Sequence, residues 1–545
     1  HISVMKYNLE QTGGRRMKRK VVAVFLSLAM VAALATGCGN SGKESTDTSS
    51  TKKTESTNDK ESVFIQPITS MPASLQPSTK SDDQVAKTRP VSDRLLAETA
   101  DGIEYYLADS LEVSDDGKEY TLHLNEDANW SDGEPITVDD ILFTIDYAGV
   151  SSNGNSSANT IAGQPINFEK VDDKTLKIQL PMPYATYVRT LDQMCVLPSH
   201  AFDGDATKVN DSDYFKQPGF ASSGAYVVSE INDDNIVFTA RDDYYRGTPS
   251  VKKIIMKTIG SGSTSDIALE NDEISYMRVT TADQLEKYKK ASDEYTLYEL
   301  SEARLNYLQI NPASNLSDDE RKAIFLALDA QEIIDAAYGT DELAQPANSL
   351  MTPDQSFYDK DCKGYSQDIE TAKKLAESSG LTGKTINYKF NSDRANMEAV
   401  ATVVQQQLEK IGVKVNVQGA DSTTFFKSFF YMWYGSGEKD TSWDLASNGW
   451  DSERGTDLGQ SLSYFNSSFG YSDEIKTLAQ QINATVDQDE AKTLAKDLQQ
   501  KTLDEYYQYP LTYTNYIMVS KKNVTGLDTC KIIPEFNDYL AISVK

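Results

Sequence analysis

The chain has 545 residues, 39% of them hydrophobic, enough to bury two or three separate cores at roughly 100–200 residues per domain. Its formal charge is −29, and so acidic a surface repels nucleic-acid phosphates and anionic lipid heads, which bind by releasing counterions to Lys and Arg; neither is expected as a partner. Four cysteines in such a length exclude a disulfide scaffold, and Cys195, Cys362 and Cys530 lack the Cys-x-x-Cys spacing of a metal site.

Met17, followed at once by Lys18-Arg19-Lys20, is the expected start, with residues 1–16 as upstream sequence. Val21 to Ala35 is apolar except for Ser27, the length of a signal-peptide core and short for a membrane span of roughly 18 residues or more. It ends in Ala35-Thr36-Gly37-Cys38. Small residues let the chain lie extended in a peptidase groove, and a cysteine as first mature residue offers its thiol to a diacylglycerol. The string resembles a bacterial lipobox, which makes residues 17–37 a lipoprotein signal peptide and Cys38 the lipidated residue on the outer face of the cytoplasmic membrane. The competing interpretation is an ordinary signal peptide with an incidental cysteine. Asn40 to Glu61 follows without an apolar side chain, so residues 38–61 are expected to be a disordered tether: nothing there offsets the chain entropy.

From Ser62 the pattern alternates between strands and helices. Glu119 to Leu124 and Lys174 to Leu180 read at period two, and Ala225 to Ile231 with Asn235 to Ala240 read as a hairpin across Asn232-Asp233-Asp234. Thr137 with Asp140 makes a capping box before Ile141-Leu142-Phe143. Ser317 with Glu320 makes another before a helix over Ala323 to Ala337, stopped by Gly339. A helix over Asp368 to Ser378 stops at Gly380. A strand at Ile386 to Phe390, a helix from about Arg394 to Lys410 and a strand at Val413 to Val417 form a βαβ unit, the mark of an α/β lobe.

Ser114 to Leu124, leading through Asn129-Trp130-Ser131-Asp132-Gly133-Glu134-Pro135 into Thr137 to Asp140, is a turn, a half-buried strand, a second turn and a capped helix. As an ordered string it resembles the signature segment of the extracellular solute-binding family that serves oligopeptide, dipeptide and nickel ABC importers. Further likenesses appear in order: Leu75-Gln76-Pro77, Ser223-Gly224-Ala225-Tyr226, Arg241 to Gly247, the Arg321 to Asp329 helix, and Ile411-Gly412-Val413. The resemblance implies a two-lobed periplasmic-binding-protein-like fold with a hinge and an extra domain beside the N-terminal lobe. By position, lobe I is expected at 62–96, 197–309 and 512–545, the extra domain at 97–196 and lobe II at 310–511. The function implied is capture of a short peptide between the lobes by a monomer and its delivery to ABC transporter permease subunits. A sugar or a metal complex is the alternative solute, and a secreted hydrolase the distant one.

The site candidate is Trp443 to Glu453, taken as a loop. In the peptide binders that it resembles, a Gly-Trp pair is followed three residues after the Trp by an acid that holds the peptide's amino group. Gly449, Trp450 and Asp451 would then supply backbone and a packing face, and Glu453 the ammonium anchor, with Asp451 as a competing anchor. Backbone pairing is indifferent to ligand side chains, so one pocket takes many peptides. The bland interpretation makes Trp450 core and both acids solvated. Ser78 to Gln84 is the expected opposite wall, and Arg454, Lys427 and Lys439 are candidate cations for the peptide carboxylate. Enzyme signals are scarce: of His1, His123 and His200, only His200 is placed for a catalytic arrangement, and no Gly-x-Ser-x-Gly or His-Glu-x-x-His occurs. No catalytic residue, metal or cofactor is expected.

Overall fold

Turn and cap chemistry fixes much of the local structure. The computed structural model describes residues 62–77, 87–99, 102–150, 158–184, 187–192, 194–260, 263–394, 396–429, 431–432, 439–451, 462, 465, 469–529, 536 and 538–545. Cys38, Ser78 to Gln84, Glu453, Arg454 and Cys530 therefore lie outside the described residues.

The chain enters with β1 (Val63–Ile68) and then builds an antiparallel sheet of β2 (Ala108–Val113), β3 (Glu119–Leu124), β4 (Asn167–Lys170) and β5 (Thr175–Gln179) in the order β2-β3-β5-β4. Gly117 at φ +65° donates its N–H to Ser114 O at 2.8 Å, closing the turn into β3. Gly133 at φ +93° does the same toward Trp130 O at 3.0 Å. Helix α1 (Val138–Gly149) starts from the Thr137–Asp140 capping box. Val138, Ile141 and Ile145 pack with Trp130, Leu122, Leu176 and Ile178 in one core, while Phe143 and Tyr147 join the core around Phe64 and Ile254.

β6 (Tyr226–Ile231) and β7 (Asn235–Ala240) form the expected hairpin, and with β8 (Lys253–Thr258) they return the chain to β1 in the order β1-β8-β7-β6. The pair β1-β8 is parallel. A Cβ on Gly224 would fall 2.5 Å from Pro90 O, so only glycine lets the hairpin's first residues press onto that segment.

The largest sheet is strung on two long strands. β9 (Tyr276–Val279) and β10 (Tyr295–Ile310) precede helices α2 (Asp318–Leu326) and α3 (Ala330–Ala337). The single helix expected up to Ala337 is thus two. The carboxylate of Asp329 accepts from Gln331 N at 3.0 Å and Glu332 N at 3.1 Å, capping a new helix and ending the old one. β11 (Ala344–Pro346), α4 (Ile369–Ser379), β12 (Thr385–Asn391), α5 (Met397–Glu409), β13 (Lys414–Ala420), α6 (Ser422–Lys427), β14 (Leu445–Asp451) and β15 (Gln508–Lys521) complete it. Among the described residues the order is β9-β15-β10-β14-β12-β13, with β11 on β15. β12, α5 and β13 are the expected βαβ unit, with parallel strands.

β10 and β15 pair antiparallel along their lengths, but the register shifts between Ser301 and Arg304, where Ala303 sits at φ +49°. Before that bulge the pair packs with Met277, Val279 and Leu285. After it the pair packs with the cores around Trp443 and around the βαβ unit. A bulge adds twist and bends its strand, so the two long strands change direction where they pass from one core to the next. Cys195 and Cys362 are buried free thiols, and burial pushes the Cys362 thiol up to about 11. No helix among the described residues is long and apolar enough to cross a membrane.

Candidate functional site

The segment taken as a loop is a strand. β14 runs Leu445–Asp451 between β10, antiparallel, and β12, parallel. Two polar side chains tie it in. Asp444 Oδ2 accepts from Asn387 N at 2.8 Å, and Asp444 N donates to Asn387 O at 2.9 Å. Asn311 Nδ2 donates to Trp443 O at 2.7 Å and to Asp440 O at 2.8 Å. These bonds satisfy backbone groups that the polar sequence would otherwise leave to water. The result is a strand start held from both sides.

The two edges of β14 differ. Toward β10 it pairs from Leu445 with Ile310 to Asp451 with Arg304. Toward β12 it pairs only at Leu445 and Ala446, with Tyr388 and Lys389. From Ser447 to Gly449 the second edge has no strand beside it among the described residues. A row of backbone groups at such an edge is a template for an added strand.

The two faces differ as well, because successive side chains on a strand point opposite ways. Trp450 is 5% exposed and shares a core with Leu305, Tyr307, Trp443, Phe425 and Phe429. The Phe429 and Trp443 rings lie 4.8 Å apart. Asn448 Nδ2 and Trp443 Nε1 are buried with no hydrogen-bond partner among the described residues. On the other face Gly449 lies under Arg304 and Asn306: a Cβ there would stand 2.6 Å from Arg304 Nη2 and 2.7 Å from Asn306 Oδ1.

Gly449, Trp450 and Asp451 therefore come together at the end of one strand; Glu453 is not described. Of the candidate cations, Lys427 and Lys439 are exposed. A buried cation on the neighbouring strand is Lys389, 8% exposed, whose Nζ donates to Ser428 Oγ at 2.8 Å and to Ser442 Oγ at 3.3 Å and lies 3.5 Å from Asp440 Oδ2. Burial works to raise the Asp440 carboxyl. Hydrogen bonds from Ser442 and Ser428 and the Lys389 charge outweigh it and hold the group below the usual carboxylate value. Burial also pushes the Tyr431 hydroxyl up to about 12. Lys389 was legible in one respect: it alternates with Ile386, Tyr388 and Phe390 in a strand that reads as interior. His200 Nε2 lies 2.9 Å from Asp132 Oδ2 and against the Trp130 ring edge, within the signature segment.

The family model "Bacterial extracellular solute-binding proteins, family 5 Middle" matches residues 102–473, more than half of the chain. A Brucella ovis protein named for ABC transporter peptide binding is 27% identical over 328 residues, 58% of this chain and 60% of its own. The chain thus spans about 60% of the length of the Brucella relatives that it matches. The solved ABC transporter substrate binding protein CtaP of Listeria monocytogenes has a TM-score of 0.79 at 26% identity, covering 89% of this chain and 99% of its own. The oligopeptide-binding protein AppA of Bacillus subtilis, solved in complex with a nonapeptide, has a TM-score of 0.72 at 18% identity, covering 89% and 99%. The expected two-lobed α/β fold is thereby borne out. The chain belongs to the bacterial extracellular solute-binding proteins of family 5.

Proposed function

We propose that this chain captures short peptides between its two lobes and delivers them to the permease subunits of an ABC importer. The observation that carries the proposal is the edge of β14 from Ser447 to Gly449. It offers backbone groups beside the aromatic core that holds Trp450, and a peptide laid along it as an added strand would be held independently of its side chains. The names of the Brucella, Listeria and Bacillus proteins support the same class of role. Glu453 or Asp451 would hold the peptide ammonium, because an acid in a closed cleft makes a charge-assisted bond. Lobe I at 62–96, 197–309 and 512–545, an extra domain at 97–196 and lobe II at 310–511 would place the crossings on β10 and β15, near their bulge. Capture stabilises the closed arrangement only through contacts that the open one lacks. Cys38 would carry the lipid that keeps a monomeric binder near its permease. Membrane fractionation of a Cys38→Ala chain tests that part: retention with a cleaved N-terminus contradicts it.

Thermal melting of the mature protein against dipeptides, longer peptides, sugars and Ni²⁺ tests the main proposal. A peptide at a hundredfold excess over Kd should add about 2.7 kcal/mol of stability. Glu453→Gln should lower peptide affinity, by roughly 2–5 kcal/mol if it faces the ammonium, while N-acetylated peptides lose little further on that change. Asp451→Asn separates the two acids. Silence across peptides with a response to sugar or Ni²⁺ would overturn the peptide assignment.

A further inference from the structure

Two turns far apart in the sequence touch each other. The first joins β2 to β3 and is closed on itself: Ser114 Oγ donates to Asp116 Oδ1 at 2.7 Å and accepts from Glu119 N at 2.9 Å, and Asp116 Oδ1 accepts from Lys118 N at 3.2 Å. Gly117 is buried there although Asp115, Asp116 and Glu119 around it are exposed. What covers it comes from near the other end of the chain. A Cβ on Gly117 would stand 2.6 Å from Val486 Cγ2, so the valine methyl fills the space that any other side chain at 117 would need.

Val486 stands in the turn between helices α7 (Asp473–Ala484) and α8 (Gln488–Asp504). Thr485 N donates to Ile482 O at 3.1 Å, and Asp487 Oδ1 accepts from Asp489 N at 3.0 Å and Glu490 N at 2.9 Å, so both helix ends are capped and the corner is stiff. Ile475, Leu478, Ala491 and Leu498 anchor the two helices in the Trp450 core. The first turn belongs to a different body: Tyr120 and Leu122 of β3 lie in the Trp130 core, and Phe143 and Tyr147 of α1 tie that body to the core around Phe64 and Ile254. Two separately packed bodies thus meet at a methyl group and a glycine. Exposed carboxylates ring the contact, Asp115 and Asp116 on one side and Asp487, Asp489 and Glu490 on the other, offset in part by Lys118. An apolar centre with a repulsive rim holds weakly, and it can form and let go without unfolding either body.

We infer that the extra domain at 97–196 is a latch on lobe closure: its β2–β3 turn receives Val486 of lobe II when the lobes shut and releases it when they open. The turn is carried by lobe I, through Phe143 and Tyr147, and Val486 by lobe II. A contact between bodies that turn about a hinge exists at one angle only, so its free energy adds to the closed form alone. The inference rests on the proposed division into lobes and is independent of which solute the cleft takes.

The test measures the distance between spin labels by pulsed dipolar resonance, with no solute present. Labels go on Glu112→Cys and Lys492→Cys, both exposed positions, in the mature protein with Cys530→Ser; Cys195 and Cys362 are buried. A short and a long distance are expected. Gly117→Ala drives a methyl into Val486, and Val486→Ala thins the contact. Each should lower the ratio of short to long populations about threefold or more, the worth of one buried methyl group. The double variant should recover most of that ratio, because Val486 Cβ lies 3.8 Å from the new Cβ, an ordinary contact. Gly117→Ala also strains the turn at φ +65°, but the double variant carries the same strain, so recovery reports the contact itself. Circular dichroism checks that each variant is folded. A ratio unmoved by either single change, or a double variant as open as Gly117→Ala, would overturn the inference. Since no solute is added, loss of the peptide assignment leaves this result unchanged, and failure here leaves that assignment standing.

Discussion

The signature segment over Ser114 to Tyr147 and the stretch from Asp440 to Asp451 are both short, polar and rich in turn residues, yet they are held by different kinds of bond. In the first, the turns and the helix cap are closed by neighbours: Ser114 Oγ with Asp116, Gly117 N to Ser114 O, Gly133 N to Trp130 O, and Thr137 N to Asp140 Oδ2 at 3.0 Å. In the second, the ties reach far along the chain, from Asn311 to Trp443 and from Asn387 to Asp444. Turn and cap residues can be read from neighbours, whereas a polar strand exists only because its partners do.

If that contrast is right, substitutions in β14 should act through packing with distant strands. Trp450→Ala should have the largest effect, about 3–5 kcal/mol of stability, because it empties a large site in the core shared with Leu305 and Tyr307. Urea unfolding followed by far-ultraviolet circular dichroism checks it. A loss below about 1 kcal/mol would mean that Trp450 is not packed against those strands.

Gly449→Ala should cost about 1–3 kcal/mol, since the new Cβ would crowd Arg304 Nη2, Asn306 Oδ1 and Leu305 O, the last at 3.1 Å. The guanidinium end can swing aside and the Leu305 carbonyl cannot. Removing Arg304 first should therefore relieve only part of the cost, and a double-mutant cycle of Gly449→Ala with Arg304→Ala measures that part. Full relief would assign the whole crowding to the side chain, and no relief would place Arg304 elsewhere.

The same contrast explains what the sequence made legible. The capped helix α1, the β6–β7 hairpin and the βαβ unit follow from periodicity, caps and turns, and they stand within a few residues of expectation. β10, the longest strand, was not anticipated: Leu300-Ser301-Glu302-Ala303-Arg304 breaks period two at the very bulge that bends it. Without β10 there was no partner for β14, so Leu445 to Asp451 read as a loop. The α2–α3 break hid for a related reason: Ala323 to Ala337 keeps helical apolar spacing across Asp329, whose capping role shows only once the chain has turned. Gly449, Trp450 and Asp451 were named as candidates through resemblance alone, while Lys389, Asn311 and Arg304 are polar side chains whose neighbours lie on other elements.

The smallest effect should come from the local region. Thr137 caps α1 by accepting from Asp139 N at 3.3 Å, and its own N–H donates back to Asp140. Thr137→Ala removes the hydroxyl but keeps the main-chain N–H, so the Asp140 half of the box survives. That carboxylate is also held from outside the helix, by Ser199 N at 2.9 Å, Ser199 Oγ at 2.7 Å and Trp130 Nε1 at 3.4 Å. With one cap bond gone and the anchor intact, the expected loss is about 1 kcal/mol. It should show as faster native-state hydrogen exchange in the first turn of α1, with β14 unaffected. A chain of this size need not unfold in one step, so the local exchange rates, more than a global midpoint, separate the two regions. If Thr137→Ala also loosened the amides of β14, the signature segment would be coupled to the large sheet, and the division into locally and distantly tied regions would fail.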